Sequence, residues 1–260
     1  MANDTNNRRL QAIILAAGKG TRMKSDLAKV MHPVADKPMV HWVIKACQNA
    51  GAESQVIVIG HQADVVRNEL AQIPNLVFAE QLEQNGTGHA VIITEEAFEN
   101  NTNDLDIFVL CGDGPLIRTD TLNQLLTTHR ESNASATLAT AILDEPTGYG
   151  RIVRTPQGTF ERIVEQKDAT PDELNIQEVN PSYYCFKADA LFQALKEINN
   201  DNANGEYYLT DVLGIMINQG QTVMVVDAVP AEDVLSINTL EHLQTVDQIM
   251  RNRLGMEAVK

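Results

Sequence analysis

The sequence predicts an α/β protein, a Rossmann-like three-layer sandwich built on a mostly parallel, mixed sheet. Two observations carry this expectation. Between residues 12 and 142, short runs that are apolar throughout alternate with longer amphipathic segments. A strand that is apolar on both faces is one covered on both faces, as in parallel sheets. A helix between two such strands is the right-handed crossover that parallel pairing requires. The chain has 260 residues, 43% of them hydrophobic. That suffices for one large domain, or for one domain with a small lobe.

Residues 12–16 read as the first strand. Residues 38–50 read as a helix, with Pro38 in its first turn, Gly51 as its stop, and Met39, Val43, Ala46 and Cys47 on its apolar face. Strands follow at 55–59 and 75–79, with a helix at 63–71 between them. A helix over 87–98, a strand over 106–111, a helix over 120–130 and a strand over 136–142 complete the alternation. After Pro146 the rhythm changes. Segments 149–154 and 159–164 form a strand pair around the turn Pro156-Gln157-Gly158. Helices are expected at 188–198 and 207–218, a strand at 222–226, a last helix at 239–250 and a loose tail at 254–260.

The net charge of -15 argues against a nucleic-acid or anionic-membrane partner. No apolar run is long enough to span a bilayer. Arg8-Arg9 before the apolar stretch 10–17 resembles a leader, but Lys19, Arg22 and Lys24 interrupt it soon after. A buried first strand and a cytoplasmic location are expected. Cys47, Cys111 and Cys185 are far apart and odd in number, which implies structural thiols in a reducing compartment. The oligomeric state is left open, a homo-oligomer included.

Local positive charge stands out against this acidity. Lys19, Arg22, Lys24 and Lys29 cluster just after the first strand. The stretch Leu15-Ala16-Ala17-Gly18-Lys19-Gly20-Thr21-Arg22-Met23 combines small residues with bases. Small residues let backbone approach a ligand, and successive N–H groups in such a turn cradle an anion. The location is right, since open α/β sheets bind ligands beyond their strands' carboxyl ends. Gly20-Thr21-Arg22 lacks the Gly-Lys-Ser/Thr of the common phosphate loop, and Met23 replaces the third glycine of the dinucleotide fingerprint. A bare strand-to-helix turn is the alternative; the added bases favour phosphate. A second candidate is Cys111-Gly112-Asp113-Gly114-Pro115-Leu116, where an aspartate follows a buried strand. A single Asp suits Mg²⁺, which takes few ligands from protein and the rest from phosphate and water. A turn-forming Asp-Gly is the competing reading.

These motifs, with Leu27-Ala28-Lys29-Val30, resemble the signature of the sugar-phosphate nucleotidylyltransferases. Four further segments extend the resemblance in order along nearly the whole chain: 81–90, 147–152, 163–169 and 204–211. They look like the branch that transfers uridylyl groups to N-acetylglucosamine 1-phosphate. The resemblance implies UTP and N-acetylglucosamine 1-phosphate as substrates, UDP-N-acetylglucosamine and pyrophosphate as products, and Mg²⁺ as cofactor. It further implies one domain over 1–260, with a nucleotide half at about 8–145 and a sugar half at about 146–250. Relatives often continue into an acetyltransferase β-helix, and none is expected here.

By the same resemblance, Leu15, Ala16, Ala17 and Gly18 hold the nucleotide through backbone contacts, and Arg22 and Lys29 bind the triphosphate. Gln81, Gly86 and Thr87 read uracil. Asp113 is a metal ligand with Asn238 as its distant partner. Gly150, Glu165 and Asn180 bind the amino sugar, supported by Tyr207 and Thr210. The chain departs from the family at Gly114, where a larger residue is usual, and at Pro181-Ser182, where a small residue and glycine are usual. His89 is expected to be packed or hydrogen-bonded, and Lys37, His41 and Trp42 to need no chemistry. Glu95-Glu96 and Asp172-Glu173 read as solvated surface. Two rival functions remain: transfer involving glucose 1-phosphate or dTTP, and a non-catalytic nucleotide-sugar sensor on the same fold.

Overall fold

The structure, a computed structural model, describes residues 8–98 and 102–257. Its first half follows the expected alternation. The elements are β1 (Arg9–Leu15), a small ribbon of β2 (Pro33–Val34) and β3 (Lys37–Pro38), α1 (Met39–Asn49), β4 (Gln55–Ile59), α2 (Ala63–Leu70), β5 (Leu76–Glu80), α3 (Thr87–Ile92), β6 (Leu105–Cys111), α4 (Thr119–Glu131) and β7 (Ala136–Ile142). The second half adds β8 (Gly150–Arg154), β9 (Phe160–Val164), β10 (Glu178–Lys187), α5 (Ala188–Leu195), α6 (Asp211–Asn218), β11 (Val223–Asp227) and α7 (Leu240–Leu254).

Nine strands form one sheet, whose main path runs β11-β7-β10-β6-β1-β4-β5, with β8 and β9 branching from β10. Neighbours β6, β1, β4 and β5 are parallel, and β10 alone runs antiparallel between β6 and β7. The sheet is therefore mostly parallel and mixed, as expected. Alternate side chains feed two cores. Ile14, Phe108, Leu110 and Cys185 pack with α1, α4 and α7 on one face. Ile13, Ile107, Val109, Tyr184 and Phe186 pack with α3, α5 and α6 on the other. Full burial of each large apolar side chain contributes about 1.5–3 kcal/mol.

The sequence reading lacks the small β2–β3 ribbon, and from the main sheet it lacks β10, a central strand. Pro181 and Ser182 interrupt its pattern, and proline has no N–H for a ladder. The structure resolves the conflict with a bulge: the pairing with β7 shifts register between Val179 and Tyr183, and Ser182 sits at φ +65. Tyr183 to Lys187 then pair with β6. Because β10 is antiparallel, its opening residues lie at the same sheet edge as the carboxyl ends of β1 and β6. That places Asn180 across from the loops after those two strands.

Other boundaries moved for local reasons. The expected helix at 87–98 is α3 followed by a separate 3-10 turn, Glu95–Ala97. The expected helix at 207–218 begins only at Asp211, because residues 207–210 are used to clamp another loop. The last helix runs on to Leu254 and ends at Gly255, whose φ of +67 is the left-handed stop that glycine provides. The expected loose tail thus starts after that glycine, and residues 258–260 of it lie outside the described residues.

Candidate active site

At the carboxyl edge of the sheet, a cavity of about 240 Å³ is lined by Leu15 at the end of β1 and Ala16, Ala17 and Gly18 after it, by Gln81, Gly86 and Thr87 after β5, and by Lys29, Cys111 and Asp113. Of the residues expected to touch the nucleotide, all but Arg22 line it. Two glycines make this possible. Gly20 has φ +59, and a Cβ there would stand 2.7 Å from Lys29 Cβ, so only glycine lets the basic loop fold back over Lys29. Gly86 has φ +109, and a Cβ would stand 2.5 Å from the Tyr207 carbonyl oxygen. The loop carrying Lys29 is held by Gln62, which accepts from the Ala28 N–H at 2.8 Å and donates to the Asp26 carbonyl.

A second cavity, of about 320 Å³, adjoins the first. Arg22, Asp113, Tyr149, Gly150, Glu165, Asn180 and Asn238 are among its lining residues. Arg22 and Asp113 therefore face one cleft. A third space of about 150 Å³ lies between them, bounded by Thr87, Glu165 and Thr210. Asp113 borders the first two cavities and Cys111 all three.

Where the cavities meet, four polar side chains converge. The Lys29 ammonium donates to Asp113 Oδ2 and to Asn238 Oδ1, the latter at 2.8 Å. Arg22 donates to the same Asn238 oxygen at 2.8 Å. Asn238 comes from a segment far along the chain, brought in by the Ile237 N–H donating to the Asp113 carbonyl at 3.0 Å. The 3-10 turn Ala231–Val234 before it is anchored by buried Asp233, which accepts from both Arg118 and Arg253. Asp113 and Asn238 thus present two oxygens to one cation, here an ammonium. Two hard oxygens converging on a single positive charge are a donor set that fits Mg²⁺. Among the described residues, no cluster of three or more His, Cys, Asp or Glu could hold a metal by itself.

On the second cavity's far side, Thr210 donates to Glu165 Oε1 at 3.1 Å. Burial raises the Glu165 carboxyl above its ordinary range, and Asp211, Asp168 and Glu206 push it the same way. Asn180 is buried, donates to the Tyr184 hydroxyl at 2.6 Å, and accepts from the Ser182 N–H at 3.0 Å. Gln166 accepts from the Gly148 N–H at 2.8 Å and from Arg151 at 3.0 Å, which fixes the turn leading into Tyr149 and Gly150. Tyr207 is placed elsewhere. Its backbone joins the base of the first cavity: its N–H donates to Asn85 and its carbonyl accepts from Gly88. The Leu209 N–H likewise donates to Thr87 Oγ1 at 3.1 Å.

Sequence reasoning overlooked several lining residues. Cys111 was read as a structural thiol at the end of an apolar strand. Burial, with the nearby Asp113 charge, pushes it up to about 12. Glu206, inside a quoted motif, lines the first cavity, and Tyr149 and His242 line the second. His89 is hydrogen-bonded, as expected: its Nδ1 lies 3.1 Å from Gln81 Nε2.

A three-layer fold with a basic loop that meets an aspartate where two cavities join is the arrangement of a nucleotidyl transferase. The family described as Nucleotidyl transferase matches residues 11–243, and the chain belongs to it. It is 46% identical over 248 residues to the Bifunctional protein GlmU of Geobacter metallireducens, covering 95% of this chain and 52% of that protein. It is 47% identical over 244 residues to the Bifunctional protein GlmU of Halalkalibacterium halodurans, covering 94% and 53%. The chain thus spans about half the length of these relatives. A crystal structure of UDP-glucose pyrophosphorylase complexed with UDP-glucose superposes with a TM-score of 0.74, over 94% of this chain and 99% of that one. At 19% identity that likeness speaks to the fold. No described helix is long and apolar enough to cross a membrane.

Proposed function

We propose that this protein transfers a uridylyl group from UTP to N-acetylglucosamine 1-phosphate, giving UDP-N-acetylglucosamine and pyrophosphate. The observation that carries the reading is the junction of the two cavities at Asp113, with Arg22, Lys29 and Asn238 around it. The relatives of nearly half identity support it. Residues of about 8–145 supply most of the nucleotide side and residues of about 146–250 most of the sugar side, within one domain over 1–260. The sides interlock, since Glu206 lines the first cavity and Arg22 the second. The free thiols suit a reducing compartment, the cytoplasm.

An oxygen of the sugar 1-phosphate attacks the α-phosphorus of UTP in line, and pyrophosphate leaves. The attacking group is already an anion, so the protein needs no nucleophile. Its work is positioning and charge neutralisation. The turn 15–18 and the Gln81-to-Thr87 loop hold the nucleoside. Lys29 neutralises the crowded phosphates and Arg22 the leaving pyrophosphate. Glu165 accepts hydrogen bonds from sugar hydroxyls, Gly150 and Asn180 line the ring and acetamido group, and Thr210 orients Glu165. Asp113 and Asn238 would hold Mg²⁺, which would orient phosphate oxygens and spread their charge.

The test is pyrophosphate release across a panel of UTP, dTTP and CTP with N-acetylglucosamine 1-phosphate and glucose 1-phosphate. The proposed pair should exceed every other by about tenfold or more, the scale a pocket contact confers. Preference for glucose 1-phosphate or dTTP overturns the substrate assignment. UTP binding without pyrophosphate, with Mg²⁺ present, makes the protein a sensor.

A further inference from the structure

His89 stands just behind the part of the first cavity that receives the base. Gln81 is buried to 3% exposure after β5 and lines that cavity. Its Nε2 lies 3.1 Å from the Gly86 carbonyl oxygen and 3.1 Å from His89 Nδ1. A carbonyl oxygen can only accept, so the amide end facing Gly86 must be the NH₂ group. The same nitrogen then donates its other proton to His89, which makes Nδ1 the bare acceptor and puts the ring proton on Nε2. Both amide protons are used by the protein. Among the described residues no donor reaches Gln81 Oε1, so the end offered to the cavity is a pure acceptor.

We infer that His89 is a positioning residue for base selection: it locks the Gln81 amide so that its acceptor oxygen meets a pyrimidine N3–H. This rests on the uridine reading above. Uracil carries a proton at N3 and satisfies that oxygen. Cytosine has a lone pair there, which would face the oxygen across a desolvated gap. Turned the other way, the amide would present donors and favour cytosine instead. Gly86 fixes the sense of the amide, because its carbonyl can only accept, and His89 holds the amide in place with a second hydrogen bond from the same nitrogen. The lock is cheap to build into the chain, because His89 projects from the first turn of α3, directly after the Gly86-Thr87 loop.

The experiment measures kcat/KM for UTP and for CTP, with N-acetylglucosamine 1-phosphate, in the wild type, His89→Ala, His89→Gln, Gln81→Ala and the double variant Gln81→Ala/His89→Ala. Losing one hydrogen bond from the lock should reduce the UTP-to-CTP ratio by about 3- to 10-fold. The change should fall mainly in KM for UTP, with kcat nearly unchanged. His89→Gln, which can again offer an acceptor oxygen, should recover part of the ratio. In the Gln81→Ala background His89→Ala should change the ratio no further, since the lock has nothing left to hold. An unchanged ratio in His89→Ala, or an equal loss with and without Gln81, overturns the inference. If His89→Ala does not fold, an unchanged ratio in a folded His89→Asn variant does so. A wild type that does not prefer UTP overturns the uridine reading itself, and is seen before any variant is made.

Discussion

Asp113→Asn separates chemistry from stability. In the resting protein the Asp113 carboxylate pairs with Lys29, whose side chain is 12% exposed against 22% for Asp113. This pair is too enclosed to be a surface ion pair, which contributes about 0–1 kcal/mol. It is too open to be a fully buried one, whose breaking costs about 3–5 kcal/mol. Lys29 keeps its bond to Asn238 and partial access to water, so the loss should be about 1–2 kcal/mol. At roughly 2–4 °C per kcal/mol for a chain of this size, the melting temperature should fall by about 2–8 °C. Turnover should suffer far more. Removing a single preorganised electrostatic group from a transition state costs about 10²–10³ in rate. In the proposed mechanism Asp113 would also hold the metal, so the larger figure is expected. The assay is pyrophosphate release at 25 °C and saturating Mg²⁺, beside a thermal melt of the same preparation. A rate within tenfold of wild type refutes the role of Asp113. A collapse of the melt that accounts for the lost activity refutes the separation.

Gly86→Ala puts a methyl group against the Tyr207 carbonyl at a positive φ. Strain of about 1–3 kcal/mol should lower the melting temperature and raise KM for UTP more than it changes kcat. Asp106 is fully buried against Arg8 at 2.6 Å, Arg130 at 2.9 Å and His129 at 3.6 Å. Burial alone would raise its carboxyl, but these partners outweigh it and hold it at about 2. A depressed carboxyl contributes stability above its unfolded value near 4 and loses it as pH falls toward 2. Urea melts should therefore show the gap between wild type and Asp106→Asn, about 2 kcal/mol or more at pH 7, narrowing below pH 4. Burial and the Asp113 charge raise the Cys111 thiol to about 12, which leaves a thiolate fraction on the order of 10⁻⁴ at pH 8. Mass spectrometry should find iodoacetamide labelling of Cys111 far slower than of free cysteine, and faster in Asp113→Asn.

The parallel half of the fold was legible because its strands are apolar on both faces, a pattern that needs no knowledge of partners. The strand β10 was hidden because its evidence is non-local. Pro181 and Ser182 read as a loop until β6 and β7 are seen to flank them and a bulge absorbs the mismatch. The site divides the same way. Arg22, Lys29 and Asp113 sit in compact motifs whose residue types state their chemistry. Asn238 has no such motif and was reached through resemblance alone. What places it is the contact of Ile237 with Asp113 and the anchoring of Asp233, which no local pattern encodes. Tyr207 and His89 act through bonds to other residues, Tyr207 to Asn85 and Gly88 and His89 to Gln81, and these too become visible only once the loop after β5 meets the residues before α6.

The central position of β10 bears on how the molecule is made. During synthesis β6 and β7 emerge well before their shared neighbour, and neither can close against the other without excluding it. Until residue 187 clears the ribosome, β6 has one unpaired edge, and β7, whose other neighbour β11 comes later still, has two. Open edges of that kind recruit wrong strands, from the same chain or from the next one on the message. Synonymous codons that slow translation just before β10 should therefore reduce the yield of native protein, whereas a pause after it should be harmless.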